Sequence, residues 1–433
     1  FRCQVCDAAG ATMLRRGRLV DTTKLPFGVL WHIDFTFFNE TSIRGLTSAL
    51  VIVEASERFV FFFPCRHKTA PVDLCLYFFS HLRRQGVPVL QIRSDEIKTA
   101  TTSGGNMRGP ALAVLANDDL LLGGGKTGGE LFLYNLANKQ LTKLGAVIAA
   151  NRRNDDSRFA INDIAVLSET QSSANLLVSY PRLGSQKNCV EIVVENINYD
   201  RVNQKIKRVK NWLVTKPCVP ISAVQHTSGR FAVIDKKSAY VTIGDLGYSQ
   251  ISNRSKRGDL GSIFKLSSNS ITKISQGHRN AQGILLYNGK DLLATEQGPR
   301  GGDELNLIKA GADYGWPFVS YGQPYGSGDY VKPTKSGTHI GYEEPLKYWV
   351  PSIAITELVQ LPKSGWAVWS NQLVSGSLKE QVLVFISLTD NLTITDTQNF
   401  DIGERIRDLE VLNSGQLVAT TDSGKLLILN LKE

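Results

Sequence analysis

The stretch YNGKDLLATEQGPRGGDELNL, residues 287–307, reads as a turn, a short buried strand, a charged glycine loop and a second strand. "YNGK" carries the Asn-Gly pair of a tight hairpin, and "DLLAT" is apolar without helical spacing. Between the strands, Gly298, Pro299, Arg300, Gly301 and Gly302 leave backbone freedom beside Glu296, Asp303 and Glu304. The same element, a short apolar strand followed by small and polar residues, recurs along the chain. It stands as "DLLLGGG" (119–125), "NLLVSY" (175–180), "AYVTIGD" (239–245), "DLLATEQG" (291–298), "QLVSGS" (372–377) and "QLVATTD" (416–422). The spacing is roughly 45 to 65 residues, apart from one gap of about 80 that holds "GADYGWPFVSYGQPYGSGDY". A period of this length with several strands per unit predicts a β-propeller, because each small sheet needs a neighbour to cover its apolar faces. Six recurrences predict six blades. Read as the innermost strands beside a central channel, they bring the residues that follow them to one mouth of it.

The rest of the composition is compatible with this. The chain has 433 residues, 42% hydrophobic and 21% charged, with 38 glycines, and has room for one large all-β domain plus a smaller one. No apolar run reaches the roughly 18 to 20 residues of a membrane span. A formal charge of +9 spread over this length favours solubility rather than a nucleic-acid partner. Cys3, Cys6, Cys65 and Cys75 lie in the first fifth and only Cys189 and Cys218 beyond it, which is no disulfide framework. The sequence starts at Phe1, not methionine, so an upstream signal segment is compatible with it.

Two unlike parts follow from the patterning. Residues 1–97 read as mixed α/β: "GVLWHIDFTFF" and "TSALVIVEASERFVFFFP" as adjacent strands, "APVDLCLYFFSHLRRQG" as a helix, and "VPVLQIRSD" as a further strand. Residues 98–108, with "TATTSGG" at their start, read as a linker, and 109–433 as the propeller.

The polar residues beside the recurring strands form a constellation. His226 stands in "QHTSGR", Arg279 and Asn280 in "GHRNAQG", Gln297, Gly298, Pro299 and Asp303 in "EQGPRGGDE", Lys379 in "SLKEQ", and Arg405 and Arg407 in "GERIRDL". Several cations beside an acid-bearing glycine loop suit a polyanionic ligand that shares a hard metal. Arginine forks fit carboxylates, and a glycine loop offers the backbone carbonyls that calcium accepts. A nearby histidine suits a general base.

These runs, with "HTSGRFAVIDKKSAYVTIGDLG", "GHRNAQGILLYNGKDLLATEQGPRGGDELNLIKAGADYGWP" and "WVPSIA", closely resemble the soluble PQQ-dependent glucose and aldose sugar dehydrogenases over residues 105–433. The resemblance implies a six-bladed propeller that oxidises a sugar or related alcohol, passing electrons to an unidentified acceptor. It implies that Arg279, Asn280, Lys379, Arg405 and Arg407 hold the quinone PQQ, and that the carbonyls of Gly298 and Pro299 hold Ca2+, with Gln297 and Asp303 shaping the loop. His226 would take the hydroxyl proton. An extracellular or periplasmic location is implied likewise. Three departures touch the substrate side: Gln225 stands where an acid precedes the histidine, Ala160–Asp163 replace a Gly-Leu-Leu-Gly segment, and Ala354–Thr356 replace Ala-Pro-Ser.

"CQVC" at Cys3 to Cys6, "WHIDFTFFN" and "IRSDE" resemble the integrase of copia-type retrotransposons, with Asp34 and Asp95 matching two core aspartates. The resemblance implies a partial ribonuclease-H-like fold. The likeness stops after Glu96, before a third carboxylate, so no strand transfer is expected, and the chain as a whole reads as a chimera. Two other readings stand beside the enzyme: a catalytically silent propeller serving as a binding module, and a nucleic-acid-binding remnant at residues 1–97.

Overall fold

The computed structural model describes residues 31–37, 48–54, 60–65, 89–97, 101–103 and 106–432, apart from 155, 186, 222–225 and 327–330. The chain divides into two compact units, one built on residues 1–92 and one on 93–428, with 365–368 and 429–433 assigned to the first. In the first unit, Trp31–Phe37, Ser48–Glu54 and Val60–Cys65 form an antiparallel meander. Both strand regions expected there are present. Three antiparallel strands do not by themselves make the expected ribonuclease-H-like sheet. The expected helix, Cys3 and Cys6 lie outside the described residues, as does Gln225 of the second unit.

The second unit is all-β. Its innermost strands are Ala111–Val114, Asp163–Glu169, Ser228–Asp235, Ala281–Tyr287, Ile355–Gln360 and Ile406–Val411. Each begins an antiparallel sheet of four or five strands, giving blades 1 to 6 in chain order. Each innermost strand packs beside the next, and Ile406–Val411 beside Ala111–Val114 closes the ring. Blade 6 is completed by Val89–Glu96 beside Lys425–Lys432. Ile97 is buried with Leu112, Leu120 and Leu426, and its N–H donates to Gly424 O at 2.8 Å. Asp95, matched above to an integrase aspartate, is held in this unit by Lys139 Nζ at 2.6 Å.

All six recurrent stretches fall on the second strand of a blade, not the innermost as expected: Leu120–Gly124, Ser173–Leu183, Ser238–Ile243, Asp291–Glu296, Leu373–Ser377 and Leu417–Thr421. The physical reason lies in the innermost strands themselves. They carry register shifts, as between Ser228 and Phe231, Ile355 and Leu358, and Ile406 and Asp408, and they bury charge. Because the two strands are antiparallel, the end of the second still meets the start of the first at one mouth. Between blades the cores are apolar: Leu121, Ile164, Leu176, Val178 and Ile197 pack together between blades 1 and 2, each buried aliphatic contributing about 1.5–3 kcal/mol.

At the axis stands Arg230, about 1% exposed. Its Nη1 lies 2.7 Å from Asp408, 3.2 Å from Glu357 and 3.6 Å from Asp163, each carboxylate from a different innermost strand. The carboxylates in turn accept backbone N–H groups across blade boundaries. Asp163 accepts from Phe231 N at 2.7 Å and Asp408 from Leu112 N at 2.9 Å, while Glu357 accepts from Ile284 N at 3.3 Å. Burial pushes Glu357 up to about 8, with Arg230 opposing, and raises Asp163 and Asp408 for the same reason.

Cys189 and Cys218, the two cysteines beyond the first fifth of the chain, are joined in a disulfide, which ties the start of one blade 2 strand to Val219–Pro220. Gly184 sits against both sulfurs, where a side chain would collide.

Arg230→Met leaves three buried carboxylates without their cation and lowers unfolding stability by about 3–5 kcal/mol at pH 7, read by urea melts. The acids have folded pKa values above their unfolded ones, so their contribution is intact at low pH and lost as pH rises. The deficit therefore shrinks toward pH 5; a deficit that grew there would refute this placement. Opening the disulfide by Cys189→Ser, with a sequence separation of 29 between the partners, costs roughly 3–4 kcal/mol.

Candidate active site

The mouth is built by one device used three times, an acid at the end of a blade's second strand gripping basic residues at or just before the start of its innermost strand. In blade 3, Asp245 Oδ1 lies 2.8 Å from His226 Nδ1. Asp245 also accepts from Gly247 N at 2.7 Å and from Trp316 Nε1 at 2.7 Å, and it is fully buried. In blade 4, Glu296 takes His278 Nδ1 at 2.9 Å and the backbone N–H of Arg279. In blade 6, Asp422 accepts Arg407 Nε and Nη2, both at 2.8 Å, and Arg405 Nε at 2.9 Å. Residues two apart along a strand ordinarily share a face, and both guanidiniums reach one carboxylate although Arg407 is the extra residue at the register shift between Ile406 and Asp408.

These groups meet. Arg279 Nη2 lies 2.9 Å from His226 Nε2, its Nη1 donates to Gln297 O and Gly298 O at 2.9 and 2.7 Å, and its guanidinium lies 5.4 Å from the centre of the Trp316 ring. Asn280 Nδ2 donates to Gln297 Oε1 at 3.0 Å, and Gln297 Nε2 to Ile355 O at 2.9 Å. Asp303 shapes the glycine loop by accepting Gly298 N at 3.1 Å, Ile353 N at 2.9 Å and Ser352 Oγ at 2.7 Å. A side chain at Gly298 would run into the Gly302 carbonyl, and Gly302 has φ +69°. Pro299 is buried beside them. Lys379 Nζ donates to Ser352 O at 2.8 Å, and Arg405 Nη1 to Leu378 O at 3.1 Å, which ties blades 5 and 6 to the loop.

A cavity of about 300 Å3 opens here, lined among others by Arg108, Arg158, His226, Asn280, Gln297 and Arg407. Lys379 and Arg405 lie outside that lining. Burial and then the Arg279 charge hold the His226 imidazole below its ordinary value, with Asp245 pulling the other way, so it is neutral near pH 7. Burial alone would raise Asp245, but His226, Arg279 and the Gly247 N–H outweigh it. With Nδ1–H directed at Asp245, the lone pair of His226 is on Nε2, where it accepts from Arg279 Nη2. His226 and Ser228 hold φ of 49° and 53°, backbone that is uncommon outside glycine and tolerated where the surroundings impose it.

Asp245, Glu296, Trp316 and Asp422 were not among the expected site residues. Their signal was present, since Asp245 and Asp422 are the last letters of "AYVTIGD" and "QLVATTD". Asp245 supplies the carboxylate that Gln225 does not.

The profile of the family described as Glucose / Sorbosone dehydrogenase matches residues 110–428. The chain belongs to this family. Family members are enzymes, and the propeller is their fold. Aldose sugar dehydrogenase YliI of Escherichia coli is 27% identical over 284 residues, covering 61% of this chain and 75% of its own. Among solved structures, the apo form of the soluble aldose sugar dehydrogenase from Escherichia coli superposes with TM-score 0.65 at 22% identity, over 79% of this chain and 99% of its own. The PQQ-bound aldose sugar dehydrogenase from Streptomyces coelicolor does so with TM-score 0.57 at 21% identity, over 80% and 100%. None of the described helices is long and apolar enough to cross a membrane.

The His226 imidazole titrates below the ordinary histidine value of about 6.5, and Asp245→Asn moves it lower still, because the carboxylate was favouring its charged form. Nitrogen-15 NMR of the ring reads both; a rise on substitution would mean that the two do not interact as described.

Proposed function

We propose that this chain oxidises an aldose or related alcohol with PQQ and calcium bound at the mouth that holds His226. The observation that carries this is a neutral imidazole, anchored on a buried carboxylate, that shares a cavity with Arg407 and Asn280. The donor set fits a planar tricarboxylate. Arg405 and Arg407 share the single acid Asp422, and Lys379 rests on a carbonyl and on Glu380 at 3.3 Å, so positive charge is in excess. Lys379, Arg405, Arg407, Asn280 and Arg279 would hold the carboxylates and quinone oxygens, and the Gly298 and Pro299 carbonyls the calcium, within the loop shaped by Gln297 and Asp303. Bound there, the quinone would supply a hydride acceptor for the sugar carbon and the calcium a Lewis acid.

His226 Nε2 receives the proton from the same carbon's hydroxyl, and Asp245 stabilises the imidazolium that results. Trp316 Nε1–H and Gly247 N–H keep Asp245 ionised and fixed for that task. Arg279 is bonded both to His226 Nε2 and to the Gly298 carbonyl, the two acceptors the reaction needs, so ligand binding exchanges those bonds for new ones. The silent-propeller reading is not favoured, since base, anchoring acids and cations are all retained. We also read the chain as extracellular or periplasmic, which the Cys189–Cys218 disulfide supports. Residues 1–97 we read as an integrase remnant without strand-transfer activity, on sequence likeness and the missing third carboxylate.

Incubation with PQQ and Ca2+ yields a stoichiometric quinone absorbance and dye reduction with aldoses, and EDTA treatment abolishes the latter. No PQQ uptake at micromolar concentration would end this proposal. Because the base must be unprotonated and its pKa is depressed, the acid limb of kcat/KM lies below pH 6.5, and Asp245→Asn lowers kcat about 100-fold or more.

A further inference from the structure

Arg108 enters the mouth from the strand Asn106–Arg108, in the stretch read above as linker. It lines the same cavity as His226, and Arg158 and Arg407 are the other two guanidiniums of that lining, which includes no carboxylate among the described residues. Arg407 is gripped by Asp422, and Arg158 holds Asp156 through Nε at 2.9 Å and Nη2 at 2.6 Å. Arg108 differs from both. Its Nη2 donates to Asn162 Oδ1 at 3.1 Å, while its buried Nε has no acceptor among the described residues. Asn162, about 2% exposed, is in the same condition. Its Oδ1 accepts from Arg108 and from Thr227 Oγ1 at 2.9 Å, and its buried Nδ2 has no acceptor among the described residues. Burial, then repulsion from Arg407 and Arg230, pushes Arg108 down to about 9. An unneutralised buried guanidinium is costly, and buried donors without acceptors are rare in native structures.

We infer that Arg108, with Arg158 on the cavity wall, is an anion subsite that makes an acidic sugar, one bearing a carboxylate or phosphate, the preferred substrate of this chain. The inference rests on the reading of His226 as the base, since the substrate must share its cavity. A cofactor carboxylate offers the same chemistry; Lys379, Arg405 and Arg407 are assigned to it above, Arg407 within this lining, and the PQQ arm of the test separates the two sources. Arg158 and Asn162 also lie on either side of the start of Ala160–Asp163, the segment that departs from the family's Gly-Leu-Leu-Gly.

The test is binding of D-glucuronate, glucose 6-phosphate and D-glucose to the full apo chain, by calorimetry or ligand-observed NMR, beside PQQ uptake read by quinone absorbance. At least one acidic sugar binds at least about 30-fold tighter than glucose. Arg158→Gln and Arg108→Gln each weaken it about tenfold or more, with PQQ affinity unchanged within twofold. Arg158 is 44% exposed at its side chain, so its replacement keeps the test usable if the Arg108 variant fails to fold. Equal affinity for glucose and the acidic sugars, or no sugar binding by folded protein, overturns the inference. So does loss of PQQ affinity with acidic-sugar binding intact, which would assign the arginines to the cofactor. Failure of PQQ uptake with acidic-sugar binding preserved sinks the oxidoreductase proposal and leaves the subsite standing.

Discussion

One guanidinium, that of Arg230, stands where six sheets converge, and three carboxylates from other blades close on it. None of these groups can be solvated there, so each depends on the others for its charge balance. The carboxylates also take N–H groups of the innermost strands of neighbouring blades. Polar backbone at the axis and charge buried there thus satisfy one another. Apolar packing between blades stabilises the ring broadly, but the axial cluster determines which strand faces which.

The mouth follows from that frame. Each innermost strand starts at the same end of the channel, and the strand beside it finishes there. An acid at the finish and a base at the start are therefore neighbours in every blade whose sequence supplies both. Blades 3, 4 and 6 do so with Asp245, Glu296 and Asp422. The result is a set of cations and an imidazole held in place before any ligand arrives, and preorganisation of this kind favours transition-state charge over ground-state binding.

What was legible in the sequence follows the same physics. The second strands are covered on both faces, so "DLLLGGG" and its relatives stay apolar, and the repeat revealed six blades. The innermost strands were hidden because Asp163, Arg230, Glu357 and Asp408 interrupt any apolar pattern and the bulges break period two. His226, Arg279, Asn280 and the glycine loop were readable as local runs with unusual chemistry. Asp245 and Asp422 were less so, because an acid ending a strand looks like an ordinary surface residue until its partner, 19 residues from His226 and 15 from Arg407, is brought alongside. Arg108 was missed, and the strand Val89–Glu96 was read as a strand but not as part of the ring, for another reason. They precede the first repeat, and a closed ring recruits them from outside it.

Asp422 has a second task besides gripping two arginines. Its Oδ1 accepts the N–H of Gly109 at 2.9 Å, from the segment that leads into the first blade. One carboxylate thus joins the beginning of the circle to its end while positioning the guanidiniums of the mouth. During synthesis the first five blades emerge while this residue is still inside the ribosome, so the growing chain has no completed receptacle to offer. The cavity that Arg407 lines is therefore complete only once the last turn of the ring is released.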